Sequence, residues 1–181
     1  LLAGGWLPAR PGSVLGAAVF ALTMMLCFLA STVYHALPPG QAKRWLCRVD
    51  HAAIFLFIAG SFTPFALRNL DTAAGLAGFC LVWALALTGI GCKAGGRLRC
   101  PLRSTLLYVA LGWVAAAAAW PTLAVLSALE LVLIAAGGAA YMVGAVFFLI
   151  DHRLRYSHFV WHLFVLAGSA CHFTAAVQHL A

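Results

Sequence analysis

The chain has 181 residues, of which 65% are hydrophobic and only 8% are Asp, Glu, Lys or Arg. Soluble domains contain about 25% charged residues, so this chain has too few charges to cover the surface of a soluble domain of its size. The formal net charge of +7 does not indicate a nucleic-acid-binding protein, because the basic residues are spread among short segments and form no continuous groove or helix face. The composition therefore predicts an α-helical membrane protein.

Apolar runs of about 20 residues, the length needed to cross a hydrocarbon core of ~30 Å, recur along the chain. They predict one transmembrane helical domain over residues 1–181 with six full spans, at about 13–36, 50–68, 73–93, 103–120, 129–150 and 157–179. Residues 1–7 have the composition expected of the end of a preceding helix. The predicted fold is therefore an all-α bundle of seven transmembrane helices, with six full helices and the end of the first in this sequence.

The basic residues alternate in density from one connection to the next. The connections after the first, third and fifth full spans hold nine of the eleven Lys and Arg residues: Lys43, Arg44, Arg48, Lys93, Arg97, Arg99, Arg103, Arg153 and Arg155. The alternate connections hold only Arg10 and Arg68. Since cytoplasmic loops carry the excess of Lys and Arg, the nine-residue side is predicted to be cytoplasmic. That assignment places the N-terminus inside and the C-terminus outside.

Ionisable side chains converge at one end of the predicted bundle. His35 closes the first full helix, Asp50 opens the second, and His158 and His162 open the last. By the distribution of basic residues, all four lie at the cytoplasmic end of their helices. Because ionisable residues within membrane spans are rare and tend to mark function, this depth of the bundle is the predicted functional site.

The spacing of the histidines is typical of metal ligation. His158 and His162 are four residues apart, so they share one helix face with side chains about 5–6 Å apart. With His35 they would supply three imidazoles and leave the fourth position of a zinc ion open, as in catalytic sites. A water in that position becomes a nucleophile near neutral pH. Asp50 is then a candidate general base or a group that orients the water, and Ser31 lies on the same helix face as His35.

Each of these residues also has a structural interpretation when it is considered alone. The pair of histidines could be interfacial residues that meet lipid headgroups. Asp50 could be a helix N-cap, and His35 could be a cation at a helix C-terminus. Convergence of all of them at one depth is what favours a shared metal site over these alternatives.

Two further features are predicted to be architectural. His172 lies ten residues beyond His162, roughly 15 Å along the helix axis, so it cannot bind the same ion and is expected to be a hydrogen-bonded interior residue. Gly137, Gly138 and Gly144 form a small-residue stripe that would let neighbouring helices approach closely.

The motifs as a set resemble those of a known family. They are S-x-x-x-H at Ser31–His35, "DHAAIFLFIAGSFTPF" at Asp50–Phe65 and H-x-x-x-H at His158–His162, with "GGAAYMVGAVFF" and "SACHF" further along the chain. Together they resemble the hemolysin III group, the bacterial branch of the progestin and adipoQ receptor family, to which the adiponectin receptors belong. The resemblance extends over nearly the whole chain.

The resemblance implies a seven-helix fold with an intramembrane zinc near the cytoplasmic face of the bacterial inner membrane. Carried over, the zinc ligands would be His35, His158 and His162, with Asp50 holding a water and Ser31 beside it. Members of the family and the similar alkaline ceramidases are linked to zinc-dependent hydrolysis of lipid amides such as ceramide. The bacterial branch is associated by name with haemolysis, and elsewhere with membrane lipid composition.

The expected function is therefore that of a zinc-dependent membrane hydrolase acting on a lipid amide or ester, with a role in membrane lipid homeostasis. Its partner would be a membrane lipid, as substrate or ligand, and not a nucleic acid. Two alternatives stay open: a non-enzymatic, receptor-like lipid sensor with a structural zinc, and a haemolysin-type pore. A pore is favoured less, because polar residues are few in the outer halves of the predicted helices.

Overall fold

In the computed structural model, residues 11–178 are described, and the side chains from residue 14 onward. Six long helices follow one another: α1 (Pro11–Ala36), α2 (Gln41–Ala66), α3 (Ala73–Ala94), α4 (Pro101–Ala118), α6 (Ala128–Leu149) and α7 (Ser157–Gln178). A four-residue helix, α5 (Trp120–Leu123), lies before α6, and a 3₁₀ turn (Leu67–Asn69) follows α2. All six long helices are long and apolar enough to cross a membrane. The chain is an all-α membrane bundle, as predicted, while residues 1–7 lie outside the described part.

The helix α2 begins at Gln41, nine residues before the apolar span that the sequence predicts. The added segment carries Lys43, Arg44 and Arg48, which are too polar for a hydrocarbon core but compatible with a helix. The helix therefore continues from the membrane core into the interfacial region and starts at the turn that contains Gly40. As a result, these three cations are held on a rigid helix and not on a flexible loop.

The same helix forms the centre of the bundle. In α2, 56% of the most apolar segment is buried, against 17–28% in the other long helices. Its buried phenylalanines include Phe55 and Phe57, and Phe57 contacts the fully buried Phe20 of α1. A Cβ on Gly60 would lie 1.9 Å from the Thr23 hydroxyl oxygen, so glycine is needed for α1 to approach this closely. This tight α1–α2 packing fixes where the C-terminal end of α1 lies.

The helices α6 and α7 form a second closely packed pair. A Cβ on Gly144 would lie 3.0 Å from the Trp161 ring, and one on Gly137 would overlap the His172 ring at 2.2 Å. The prediction of a small-residue stripe is thus confirmed for these two glycines. Gly138 has no atom within 4 Å of its Cβ position among the described residues, so it does not contribute to this contact. The close packing sets the rotation of α7, and hence the direction of its first-turn side chains.

Candidate metal centre

His35, His158 and His162 form one cluster at the end of the bundle that carries most of the basic residues. One ring nitrogen from each lies within 4.8 Å of the other two. The Nε2 atoms of His35 and His158 are 3.4 Å apart, although the two residues are 123 positions apart in the chain. The structure therefore brings together the three histidines that the sequence predicted as metal ligands.

The start of α7 is held by a turn that orients its two histidines. Tyr156 has a left-handed backbone with φ of 68°, which reverses the chain just before the helix. The backbone N–H of Ser157 donates to the Leu154 carbonyl at 3.1 Å, and the Ser157 hydroxyl donates to the Phe147 carbonyl at 2.7 Å. Because Ser157 is tied to the end of α6, the first turn of α7 has a fixed position, and its imidazoles point towards α1.

The cluster fits a zinc-type metal ion. Zinc–nitrogen bonds of about 2.0–2.1 Å in a tetrahedral arrangement place two ligand nitrogens roughly 3.3–3.4 Å apart. The observed separation of 3.4 Å between the Nε2 atoms of His35 and His158 agrees with that geometry. In addition, Nε2 of His162 is buried and has no hydrogen-bond partner among the described residues. An unpaired buried nitrogen costs about 1–3 kcal/mol, which a metal ion would offset, and an all-imidazole donor set suits zinc.

Asp151 was missed by the sequence analysis as a member of this site. Its carboxylate oxygen Oδ2 lies 3.3 Å from Nδ1 of His158, and the two side chains are each 38% exposed. If the Nδ1–H of His158 donates to this carboxylate, Nε2 keeps its lone pair and faces His35. No sequence pattern indicates the pairing, because the turn between α6 and α7 separates the two residues.

Asp50 and Ser31 lie beside the histidine cluster but outside the set of converging nitrogens. The half-buried Asp50 carboxylate is close enough to His35 and His158 to interact with them electrostatically. The Ser31 side chain lies near the same carboxylate. All five residues predicted for the site are thus found at one end of the bundle, with the carboxylate and hydroxyl next to the imidazoles.

The other two interior histidines have local partners. Nδ1 of His51 lies 2.6 Å from the carbonyl oxygen of Cys47, one helical turn earlier. Nε2 of His172 lies 3.0 Å from the carbonyl oxygen of Ile134, where its N–H donates across the α6–α7 contact. His172 is therefore a hydrogen-bonded interior residue, as predicted, and stabilises the helix pair.

Comparison with known proteins gives a consistent result. The family described as "Haemolysin-III related" matches residues 3–173. The chain is 39% identical over 155 residues to the "Hemolysin-3 homolog" of Bacillus subtilis (strain 168), covering 86% of this chain and 72% of that protein. It is 38% identical over 161 residues to "Hemolysin-3" of Bacillus cereus, covering 89% of this chain and 73% of that protein.

A human protein is also similar. The "Monocyte to macrophage differentiation factor" of Homo sapiens is 28% identical over 173 residues, which cover 90% of this chain and 69% of the human one. No solved structure matches the chain at a significant level. The match over nearly the full length, together with the six long apolar helices, shows that this multi-pass membrane protein belongs to the haemolysin-III-related family.

Proposed function

We propose that the protein is an integral-membrane, zinc-dependent hydrolase that cleaves a lipid amide, such as that of a ceramide, or a lipid ester. The observation that supports this most is the convergence of three imidazole nitrogens within 4.8 Å, with a carboxylate beside them. Three histidine ligands leave a position for water or substrate, which is the arrangement of catalytic and not of structural zinc sites. The acting residues are His35, His158 and His162 as ligands, with Asp50 for proton transfer.

A zinc ion held by the three histidines would polarise the lipid carbonyl and activate a water, which is the chemistry that this metal supplies. The chain's own residues then handle the protons. Asp50 accepts a proton as water attacks the carbonyl carbon, and it returns the proton to the leaving nitrogen or oxygen as that bond to carbon breaks. The products are a fatty acid and an amine or alcohol.

Ser31 and Asp151 hold the reacting groups in place. The Ser31 hydroxyl lies near the Asp50 carboxylate and orients it. Asp151 accepts from Nδ1 of His158 and keeps the ring in the tautomer that a metal requires. His35 is exposed at the end of α1, so a lipid can reach the cluster from the side of the bundle.

The membrane orientation belongs to the same proposal. Nine of the eleven Lys and Arg residues lie on the side of the histidine cluster, which would place that side in the bacterial cytoplasm and the end of α7 outside. The lipid bond would then be cut in the inner leaflet of the cell membrane. An alkaline phosphatase fused after the last helix should be active, and an inactive, stably expressed fusion would reverse the orientation.

The hydrolase proposal is tested with the purified full chain in nanodiscs that contain a fluorescent ceramide or an ester analogue. Asp50→Asn should lower kcat by about 100-fold or more, since general acid–base catalysis contributes 10²–10⁴-fold, while the zinc content stays the same. His152→Gln is the matched control, because His152 is exposed and lies outside the cluster.

One result would decide against hydrolysis, and another against the role of Asp50. Wild-type protein with one zinc per chain and no turnover of amide or ester would favour a structural zinc that joins α1 to α7, as in a lipid sensor. Equal turnover by wild type and Asp50→Asn would remove Asp50 from the reaction.

A further inference from the structure

A second feature of the basic end is a cavity of about 730 Å³ beside the histidine cluster. Its walls come mainly from α2, the end of α3 and the loop between α3 and α4, with one residue each from α1 and α4 and two from the turn before α2. None of its lining residues is acidic, and five are cationic: Lys43, Arg44, Arg48, Lys93 and Arg99. The prediction that the basic residues form no groove is therefore wrong for these five, because the helix packing gathers residues that are dispersed along the chain.

The positive charges of this cavity are not balanced by carboxylates. In the described part of the chain, Asp151 pairs with His158, and none of the five cations has a carboxylate within 4.0 Å. The side chains of Arg44 and Arg48 also donate no hydrogen bond to another described residue. Like charges in one cavity repel each other, so an anion that enters it would be bound favourably.

Two cations of the cavity, Lys93 at the end of α3 and Arg99 in the following loop, donate hydrogen bonds to that loop. The ammonium of Lys93, which is only 7% exposed, donates to the Leu98 carbonyl and to the Ser104 hydroxyl, each at 2.8 Å. Nε of Arg99 donates to the Gly96 carbonyl at 3.0 Å, and Gly96 has a left-handed backbone with φ of 70°. The position of Arg99 is therefore set by the backbone of the loop.

Two arginines from different elements converge in this cavity. A Cβ on Gly96 would lie 3.9 Å from the guanidinium carbon of Arg48 and 3.8 Å from a terminal nitrogen of Arg99. Arg48 lies on α2 and Arg99 on the loop after α3, so their proximity is a product of the tertiary structure. Paired guanidinium groups bind phosphate oxygens through two parallel hydrogen bonds each, which is a geometry that lysine cannot provide.

Size and position indicate what kind of phosphate compound fits. Ligand cavities of about 300–1,000 Å³ hold molecules much larger than inorganic phosphate. The lining also includes the apolar residues Leu98 and Pro101, and Trp45, 63% exposed on the same stretch of α2, is a side chain typical of the headgroup level. We propose that this cavity binds the phosphate headgroup of an anionic membrane phospholipid. The proposed lipid site requires no metal. It is separate from the histidine cluster but adjoins it, since Tyr34, next to His35, lines the cavity.

The test measures lipid binding to the purified full chain in detergent micelles by native mass spectrometry. Phosphatidylglycerol is titrated against wild type and Arg48→Gln/Arg99→Gln, with phosphatidylcholine as the neutral lipid. The matched control is Arg97→Gln/Arg103→Gln, which removes the same charge from exposed positions of the same region that do not line the cavity. The cavity variant should raise the Kd for phosphatidylglycerol about tenfold or more, and the control should change it by less than about twofold.

Three outcomes would overturn the proposal. They are equal weakening in the two double variants, equal affinity for phosphatidylcholine and phosphatidylglycerol, and displacement of the lipid by an equal concentration of inorganic pyrophosphate. The last result would identify a soluble phosphate compound as the ligand in place of a lipid. If Arg48→Gln/Arg99→Gln does not fold, Arg48→Lys/Arg99→Lys replaces it: weaker binding supports the proposal, and unchanged binding contradicts it.

Discussion

The two ends of the bundle differ in how far their polar side chains are paired. At the end opposite the cluster of His35, His158 and His162, the fully buried Thr122 donates to the Phe65 carbonyl at 2.8 Å and accepts from the Asn69 amide. Ser127 and Glu130 form a reciprocal capping box at the start of α6. The polar groups of Thr122, Ser127 and Glu130 are thus all paired within the protein, and these contacts stabilise this end of the bundle.

At the basic end, some polar side chains have no partner among the described residues. Nε2 of His162 is buried without a partner among the described residues, and the nearby cations Arg44 and Arg48 have no carboxylate partner there. Buried polar groups are nearly always satisfied, so an unsatisfied one is a candidate position for a bound water or ion. Both proposed sites therefore lie at the end of the bundle where some polar side chains have no partner among the described residues.

The largest expected effect is at the proposed metal ligands. His35→Ala should weaken zinc binding by more than about 100-fold, because even groups that only orient a ligand contribute 10–100-fold. Affinity is measured by competition with a chelator, and zinc per chain by elemental analysis. His172→Ala is the control, since His172 bonds to Ile134 and is not in the cluster. Unchanged zinc affinity in His35→Ala would remove α1 from the site.

A smaller effect is expected from the residue that orients His158. Asp151→Asn should weaken zinc binding about 10–100-fold, since the neutral amide holds the Nδ1–H less firmly than the carboxylate does. A change in the absorption spectrum of the cobalt-substituted protein would show that the ligand geometry has shifted, which a loss of stability alone would not do. Asp71→Asn loses the same charge at an exposed position and is the control. Identical affinities and spectra would show that the 3.3 Å contact has no role.

The smallest effect is expected at the end of the bundle opposite the histidine cluster, where a substitution should leave zinc binding unchanged. Thr122→Val removes both the donor to Phe65 and the acceptor for Asn69, so the free energy of unfolding should fall by about 0.6–1.7 kcal/mol. Denaturant unfolding in mixed micelles measures it, with Thr88→Val as control because the hydroxyl of Thr88 bonds only within its own helix. A loss of zinc in Thr122→Val would show that the two ends of the bundle are coupled.

Much of the fold and part of the site could be predicted because they depend on local spacing. Runs of about 20 apolar residues identify membrane helices, and a separation of four residues places His158 and His162 on one face. Asp151 could not be predicted, since its contact with His158 depends on the turn around Tyr156. The basic cavity could not be predicted either, because its five cations are dispersed along the chain and only the helix packing brings them to one cavity.

The sequence was enough to predict a membrane bundle, the approximate positions of its apolar spans and the candidate metal ligands, because hydrophobicity and helical periodicity are properties of short segments. The 3.4 Å approach of His35 to His158 and the convergence of Arg48 and Arg99 on Gly96 could be learned only from the folded protein. Those contacts join residues far apart in the chain. They depend on how closely α1 packs on α2 and α6 on α7, which glycines such as Gly60 and Gly137 allow.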